Sequence, residues 1–389
     1  MNTLGIYVQV PFCQTKCTYC NFHTGVVSSA RFAPYVQCVC GEMAGRRTLY
    51  EAAGIALPAG LADAVVDTVY IGGGTPSLLD AAHLRRIVDA VRENFASELR
   101  EITLEADPET VTAEKAAAWV AAGINRVSFG VQSFCDEELQ AAGRMHRRAD
   151  IYRAAAILRG AGIANISFDL IAGLPKQTRV SWRESLDSLV GLAPEHVSVY
   201  LLEVDEGSRL GAELLRGGKR YSAGDVPGDD EMAEFYETAC AVLGAARYEH
   251  YEISNWAKPG YASRHNLKYW RREPYLGFGA GAHSFSGTER WANAHDAAGY
   301  VGAVSAGRLP VEQLEKLTPE SALEEELFLG LRQLGGIDVG RIEREYGVSL
   351  DSRFARLDSA GLIERKGTLV RLAPGKVSVS NEVFVELMK

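Results

Sequence analysis

The sequence predicts an α/β fold: a partial (β/α)6 barrel followed by a small winged-helix-like C-terminal domain. Three observations carry this. Six β-rich runs, at residues 6–12, 68–74, 101–107, 126–132, 166–174 and 196–204, alternate with amphipathic stretches such as 81–95, 113–122 and 182–192. Several of the runs are continuously apolar, as parallel strands covered on both faces must be. Glycine-rich or polar clusters fall where the runs end, which is the rim where parallel α/β barrels build their sites.

The first run, Gly5-Ile-Tyr-Val-Gln-Val-Pro-Phe12, leads into Cys13-Gln-Thr-Lys-Cys17-Thr-Tyr-Cys20. Three thiolates on so short a loop can converge on one soft metal centre. A structural zinc site is usually closed by four protein ligands, whereas a [4Fe–4S] cluster held by three cysteines keeps one iron open. A zinc loop lacking a ligand and three unrelated thiols are the alternatives. The second run ends in Gly72-Gly-Gly-Thr-Pro76, bare backbone that a ligand can approach closely. No Gly-Lys-Ser/Thr follows it, which argues against a nucleoside triphosphate loop. The third run ends in Glu105-Ala-Asp-Pro108, the fourth in Gly130-Val-Gln132, the fifth in Asp169-Leu-Ile-Ala-Gly-Leu-Pro175 and the sixth near Glu203. Motifs at successive strand ends form one coherent site.

Beyond the sixth run the pattern changes. Residues 227–287 are aromatic and less periodic, and from about 318 the chain reads as helices at 320–333, 339–346 and 350–360 and a hairpin at 362–372 with Gly367 near its turn. The expected parts are a core at 1–226, an aromatic extension at 227–317 and a helical, wing-bearing domain at 318–389. A wing suggests DNA, but this segment is acid–base balanced and has no basic stripe, so a docking or lid module is expected.

Composition bounds the function. The chain has 389 residues, 47% hydrophobic and 23% charged, with a net charge of −9. That charge argues against a nucleic-acid surface as the main purpose. No apolar run approaches the ~20 residues of a membrane span. The first strand begins within a few residues of Met1, so no signal peptide and a cytoplasmic location are expected. Seven cysteines, three of them in one loop, do not form a disulfide framework. Cys38, Cys40 and Cys240 are expected as buried apolar side chains on helices, and Cys135 receives no role.

The C-x3-C-x2-C spacing resembles that of the radical S-adenosylmethionine (SAM) superfamily, whose open iron chelates the amino and carboxylate groups of SAM. Tyr19 fits that family's aromatic position beside the adenine. The chain as a whole resembles the coproporphyrinogen III dehydrogenase-like proteins of that superfamily, and among them a heme-chaperone branch. The matching residues are Tyr7, Pro11-Phe-Cys13, Cys17, Cys20, Gly72–Pro76, Glu105-Ala-Asp-Pro108, Gly130-Val-Gln-Ser133, Gly143-Arg-Met-His146, Asp169-Leu-Ile, Gly173-Leu-Pro-Lys-Gln177 and Asn381-Glu-Val-Phe384. The resemblance implies that Cys13, Cys17 and Cys20 hold a [4Fe–4S] cluster. Gly73, Gly74 and Thr75 would line the methionine end of SAM, and Tyr7, Glu105, Gln132, Arg144 and Asp169 would complete its pocket. Such a ligand needs a cation for its carboxylate and acceptors for its amino group and ribose. Taken singly, each of these polar residues also reads as a cap or a solvated side chain.

Two features separate the chain from the decarboxylating coproporphyrinogen enzyme. That enzyme has a fourth cysteine where this chain has Phe22, and it carries an N-terminal extension, whereas here Cys13 follows almost at once. His265-Asn-Leu-Lys-Tyr-Trp270 instead resembles the H-N-x-x-Y-W signature of the chaperone branch. An imidazole flanked by Tyr269 and Trp270 suits an axial bond to heme iron and stacking on a porphyrin; a hydrogen-bonded structural histidine is the other reading. His283 is the second candidate ligand. The implied function is heme binding and delivery to heme-requiring acceptor proteins, a transient membrane-protein acceptor among them, with an electron donor for the cluster and no nucleic-acid partner. The alternatives are oxygen-independent decarboxylation of coproporphyrinogen III, and a radical SAM methyltransferase or cyclopropanase acting on another aromatic substrate.

Overall fold

The computed structural model describes residues 3–55, 57, 58, 61 and 64–388. Strands β1 (Thr3–Val10), β2 (Val65–Gly73), β3 (Ser97–Ala106), β4 (Arg126–Gln132), β5 (Asn165–Ala172) and β6 (His196–Leu201) lie side by side in chain order. Each pairs parallel with the next. Parallel neighbours need a crossover, and the crossovers carry α1 (Phe32–Ala52), α2 (Ala81–Asn94), α3 (Ala113–Ala122), α4 (Arg148–Ala161) and α5 (Arg179–Leu192). The fourth predicted run coincides with β4 and the 113–122 stretch with α3.

The helix ends are written locally. Thr112 caps α3 by accepting from the Lys115 amide, and Gly123 closes it at φ 96°. The Thr178 and Ser181 side chains cap the start of α5 reciprocally. One continuous core joins strands and helices, with Trp119, Trp182 and Phe168 at or near zero exposure. Cys38 and Cys40 are buried on α1, as expected; Cys240 is only partly buried.

The aromatic extension does not stand apart from the barrel. Its strands lengthen the barrel's own sheet at both edges. After α6 (Asp229–Ala245), β7 (Glu249–Glu252) and β8 (Asn255–Ala257) add antiparallel beyond β6. The chain then passes through α7 (Arg264–Trp270) to the opposite edge, where β9 (Tyr275–Phe278) pairs parallel with β1. There β10 (His283–Phe285), β11 (Glu289–Asn293) and β12 (Val311–Lys316) continue antiparallel, and α8 (Ala297–Ser305) lies between the last two. The resulting order is β12-β11-β10-β9-β1-β2-β3-β4-β5-β6-β8-β7.

The C-terminal segment has a separate core of Leu327, Ile342, Phe354 and Val383. Helices α9 (Pro319–Leu331), α10 (Val339–Tyr346) and α11 (Asp351–Ser359) precede the hairpin β13 (Ile363–Lys366) and β14 (Leu369–Leu372), whose turn uses Gly367 at φ 64°. Ile337 and Asp338 add a third strand to the wing, and α12 (Ser380–Leu387) closes the segment. It is joined to the barrel by backbone bonds between Ile253 and Arg332 and between Leu334 and Tyr251, both 3.1 Å, and by Arg290 to Glu325 at 2.7 Å. Among the described residues no helix is long and apolar enough to cross a membrane.

Candidate functional site

A cavity of about 700 Å³ occupies the barrel interior and opens at the C-terminal ends of the strands. Cys13, Cys17, Cys20, Gly73, Gly74, Thr75, Glu105, Gln132, Arg144 and Asp169 all line it, so the structure gathers these predicted site residues around one space. Tyr19 and Phe22 line it as well.

The glycine loop and the cysteine loop are pressed together. The Gly74 amide donates to the Val10 carbonyl at 2.8 Å and the Thr75 amide to the Phe12 carbonyl at 2.7 Å. A Cβ on Gly74 would lie 2.5 Å from the Phe12 oxygen, and one on Gly73, at φ 112°, would meet the Gln9 side chain at 2.5 Å. Glycine at both positions is therefore a steric requirement. Burial raises the Cys13 and Cys20 thiols above their ordinary pKa, so metal binding there must release protons. Among the described residues no group of three or more His, Cys, Asp or Glu side chains stands in metal-holding geometry. The three thiols line one space.

Arg144 is the cation of the site, and it already has a partner. Its Nη2 donates to Asp107 and, at 2.8 Å, to the Gly130 carbonyl, while Nη1 lies 3.5 Å from the Cys17 sulfur. Asp107 also accepts from Thr75 at 3.0 Å. Sequence reasoning missed Asp107: beside Pro108 it looks like a helix cap. The remaining guanidinium nitrogen of Arg144, Nε, is buried with no hydrogen-bond partner, a costly state unless an acceptor arrives.

Deeper in the barrel, inward-facing polar residues form a cross-strand row. Glu105 lies beside Ser128, Ser128 beside Ser167 and Ser167 beside His196; Asp169 pairs with Ser198 one step higher. Glu105 accepts from Tyr70 and from the Gly73 amide, both at 2.8 Å. Burial, with Asp169 and Asp107 nearby, nevertheless raises its pKa to about 7. Asp169 accepts from Ser128 at 3.1 Å, and burial raises it too. Arg126, 1% exposed, sits among these groups with its own Nε unpartnered. The missed signal is i, i+2 spacing of polar residues inside apolar strands: Arg126 and Ser128, Ser167 and Asp169, His196 and Ser198. Gln132 ends β4 in the left-handed region at φ 64°, a strained conformation for a non-glycine residue that clusters at functional sites.

Two predicted residues lie elsewhere. Tyr7 does not line this cavity. It donates to Gln9 and stacks on Tyr70 at 6.0 Å, and it faces a second cavity of about 570 Å³. His265 lies below the barrel, away from the cysteine loop, and is hydrogen-bonded on both sides of its ring. It has no exposure, its Nδ1 shares a proton with Thr68 Oγ1 at 2.9 Å, and its Nε2 does so with the Tyr269 hydroxyl at 2.8 Å. Both ring nitrogens are thus occupied, and burial, then Lys268 and Arg126, lower its pKa to about 3.

The motif helix α7 closes the lower mouth of the barrel. Glu101 on β3 accepts from the amides of Arg264 and His265 at 3.0 Å, complementing the helix N-terminus. Lys268 reaches Asp67 at 2.9 Å and Thr3 at 2.8 Å. The motif divides its side chains: His265 is locked inside, Asn266 lines the main cavity, and Tyr269 and Trp270 face the second one.

The residues fit the groups that the resemblance implies. Three cysteines line one space with two glycines whose bare backbone borders it, and a buried guanidinium nitrogen there has no acceptor.

Residues 7–189 match the radical SAM superfamily and residues 317–374 the HemN C-terminal domain. A protein of Bacillus subtilis (strain 168) named heme chaperone HemW is 35% identical, over 97% of this chain and 97% of its own. The heme chaperone HemW of Escherichia coli (strain K12) is 35% identical over 72% of this chain and 69% of its own. Among solved structures, the coproporphyrinogen III oxidase HemN of Escherichia coli, described as a radical SAM enzyme, superposes with a TM-score of 0.84 at 22% identity, covering 100% of this chain and 90% of that one.

Proposed function

The chain belongs to the heme chaperone HemW family of radical SAM proteins, and from that premise we propose that it binds heme in the cytoplasm and hands it to heme-requiring acceptor proteins. In this reading Cys13, Cys17 and Cys20 hold a [4Fe–4S] cluster. Such a cluster, when bound, supplies the site for SAM and an electron from an external donor. The chain's own residues do the positioning. Arg144 Nε and the Gly73–Thr75 cradle receive the methionine end of SAM, Glu105 meets its amino group, and Asp169 with Gln132 meets the nucleoside. Asp107 neutralises the rest of the Arg144 charge, so the guanidinium stays aimed where its free N–H points.

One observation favours the chaperone reading over decarboxylation. Phe22, on the rim of the main cavity and 65% exposed, stands where the resembling decarboxylase has a fourth cysteine. An arene cannot replace a thiol in acid–base or radical chemistry. Anaerobic reconstitution followed by parallel assays tests the choice. Stoichiometric heme retention without protoporphyrinogen formation from coproporphyrinogen III is expected; turnover of coproporphyrinogen III would overturn the reading.

A further inference from the structure

We infer that Glu138 is a positioning residue of the main cavity: a buried frame built on it holds Gln132 in a strained turn, so that the Gln132 side chain is in place before SAM arrives. The inference rests on the reading that Gln132 meets the nucleoside of SAM. It also accounts for Ser133, His146 and Gln177, motif residues that do not line the cavity.

The turn is unusual. Gln132 has φ 64°, and the Ser133 amide donates back across it to the Val131 carbonyl at 2.8 Å. A bond of this span around a residue of positive φ is a γ-turn of the rare, strained kind. The pairing of β4 with β5 slips between Phe129 and Gln132 on the way to it. Strain of this sort persists only where the surroundings over-determine it. Its result is a placed side chain. A Cβ on Gly130 would lie 3.0 Å from Gln132 Nε2 and 3.2 Å from Arg144 Nη2, so the carboxamide and the guanidinium both fold over bare backbone.

The surroundings are buried side chains. Glu138, on the short helix Asp136–Ala141, has no exposure. Its Oε2 accepts from the Ser133 hydroxyl at 2.6 Å and from Gln177 Nε2 at 3.2 Å. Ser133 Oγ in turn accepts from the Cys135 amide at 2.9 Å. Gln177 is fixed by its other bonds: it accepts from the Gly173 amide at 2.6 Å and donates to the Ile171 carbonyl at 3.1 Å. The frame therefore ties the turn after β4 to the turn after β5. His146 Nε2 donates to the Val131 carbonyl at 3.0 Å, and Ser185 Oγ on α5 accepts from the Phe134 amide at 3.1 Å. Val131, Ser133, Phe134 and Cys135 are thus each bonded to a fixed partner, and Gln132 is caught between them.

A carboxylate suits the centre of this frame, because it only accepts and both groups that reach it are donors. Its other oxygen, Oε1, is buried without a partner. A buried carboxylate with one oxygen unpaired is a poor source of stability, which points to what the frame places rather than to what it stabilises.

The test is a double-variant cycle on the reconstituted protein, with SAM affinity read by calorimetry and iron content measured alongside. Glu138→Ala is expected to weaken SAM about tenfold, the scale of releasing one strained residue, and Gln132→Ala by a similar factor. In the double variant the two losses should not add, because Glu138 acts through Gln132. Additive losses would overturn the assignment. So would loss of iron in Glu138→Ala, which would place its action on the cysteine loop, through the bond from the Thr18 amide to the Ala142 carbonyl. Glu138→Gln keeps an oxygen for both donors and should restore affinity; an equal loss in that variant would overturn the frame. Where Glu138→Ala is too unstable to reconstitute, Ser133→Ala cuts the same link and carries the same expectations. Hydrogen exchange reads the frame without any ligand: the amides of Ser133, Phe134 and Cys135 should exchange faster in Glu138→Ala, with those of β1 and β2 unchanged. Unchanged exchange at these three amides would overturn the frame whether or not SAM binds. Failure of the wild type to bind SAM would overturn the reading of the pocket instead.

Discussion

The two mouths of the barrel carry the same kinds of residue and use them in opposite ways. At the upper mouth, cysteines, an arginine and carboxylates surround open space: Arg144 Nε is buried and unbonded, and Cys13, Cys17 and Cys20 line the cavity without a disulfide between them. At the lower mouth, His265 is bonded to Thr68 at 2.9 Å, Glu101 accepts from the His265 amide at 3.0 Å and Lys268 is paired with Asp67 at 2.9 Å. A folded chain completes its hydrogen bonds where it needs only stability, and leaves them incomplete where a ligand is to finish them. A motif therefore has to be judged by which end of the strands it reaches. The H-N-x-x-Y-W helix reaches the lower one, where barrel residues serve stability.

This contrast predicts that changes at the top alter cofactors and changes at the bottom alter stability. The largest effect is expected from the triple change of Cys13, Cys17 and Cys20 to Ala. Reconstituted iron should fall from about four per chain to none, with a cooperative thermal transition retained; full iron content would remove the cluster from this loop. Next is Arg144→Ala, which leaves the half-buried Asp107 carboxylate without its cation and is expected to cost about 1–3 kcal/mol of stability as well as SAM affinity. Adding Asp107→Ala should recover most of the stability but not the affinity. If calorimetry shows SAM affinity recovered in the double variant, Arg144 acts only as the partner of Asp107.

His265→Ala should cost about 2–4 kcal/mol through two lost side-chain hydrogen bonds and the space left behind, with iron content, SAM affinity and the heme spectrum unchanged. A normal melting temperature with an altered heme spectrum would reverse the comparison between the two mouths.

The smallest effect concerns pH. The folded pKa of Glu105 is raised to about 7 from an ordinary value near 4.5. Between those values the unfolded chain has lost a proton that the folded chain retains, so the stability that Glu105 contributes declines as pH rises through this window. SAM affinity should change in the opposite sense and rise toward pH 7, because the ammonium of SAM favours ionised Glu105. Glu105→Gln should flatten both profiles; an affinity profile that keeps its slope in that variant would assign the titration to another group.

Much of the upper mouth was legible in the sequence because its residues lie at the ends of long apolar strands. Gly72–Pro76 and Arg126–Gln132 announce themselves by following or forming such runs. The extension was not legible. Strands of three to five residues such as Asn255–Ala257 and Glu289–Asn293 are too short to show a period, and the pairing of Gly5 with Tyr275 joins segments that nothing local connects. Asp107 and the serines of the inner row were hidden differently: a polar residue inside a strand shows its purpose only once the neighbouring strands are in register. The bonds of His265 to Thr68 and Tyr269 were hidden too, because an imidazole between two aromatics looks alike in sequence whether its nitrogens are free or bonded.

Ser380 and Asn381, on α12 at the far end of the chain, complete the wall of the main cavity. The cavity's wall thus joins two segments, Cys13–Cys20 and Ser380–Asn381, that lie about 360 residues apart in the sequence. Bringing them together closes a far longer loop than any pair of neighbouring strands does, so this part of the wall is expected to form late in folding, after the strand-end loops are in place.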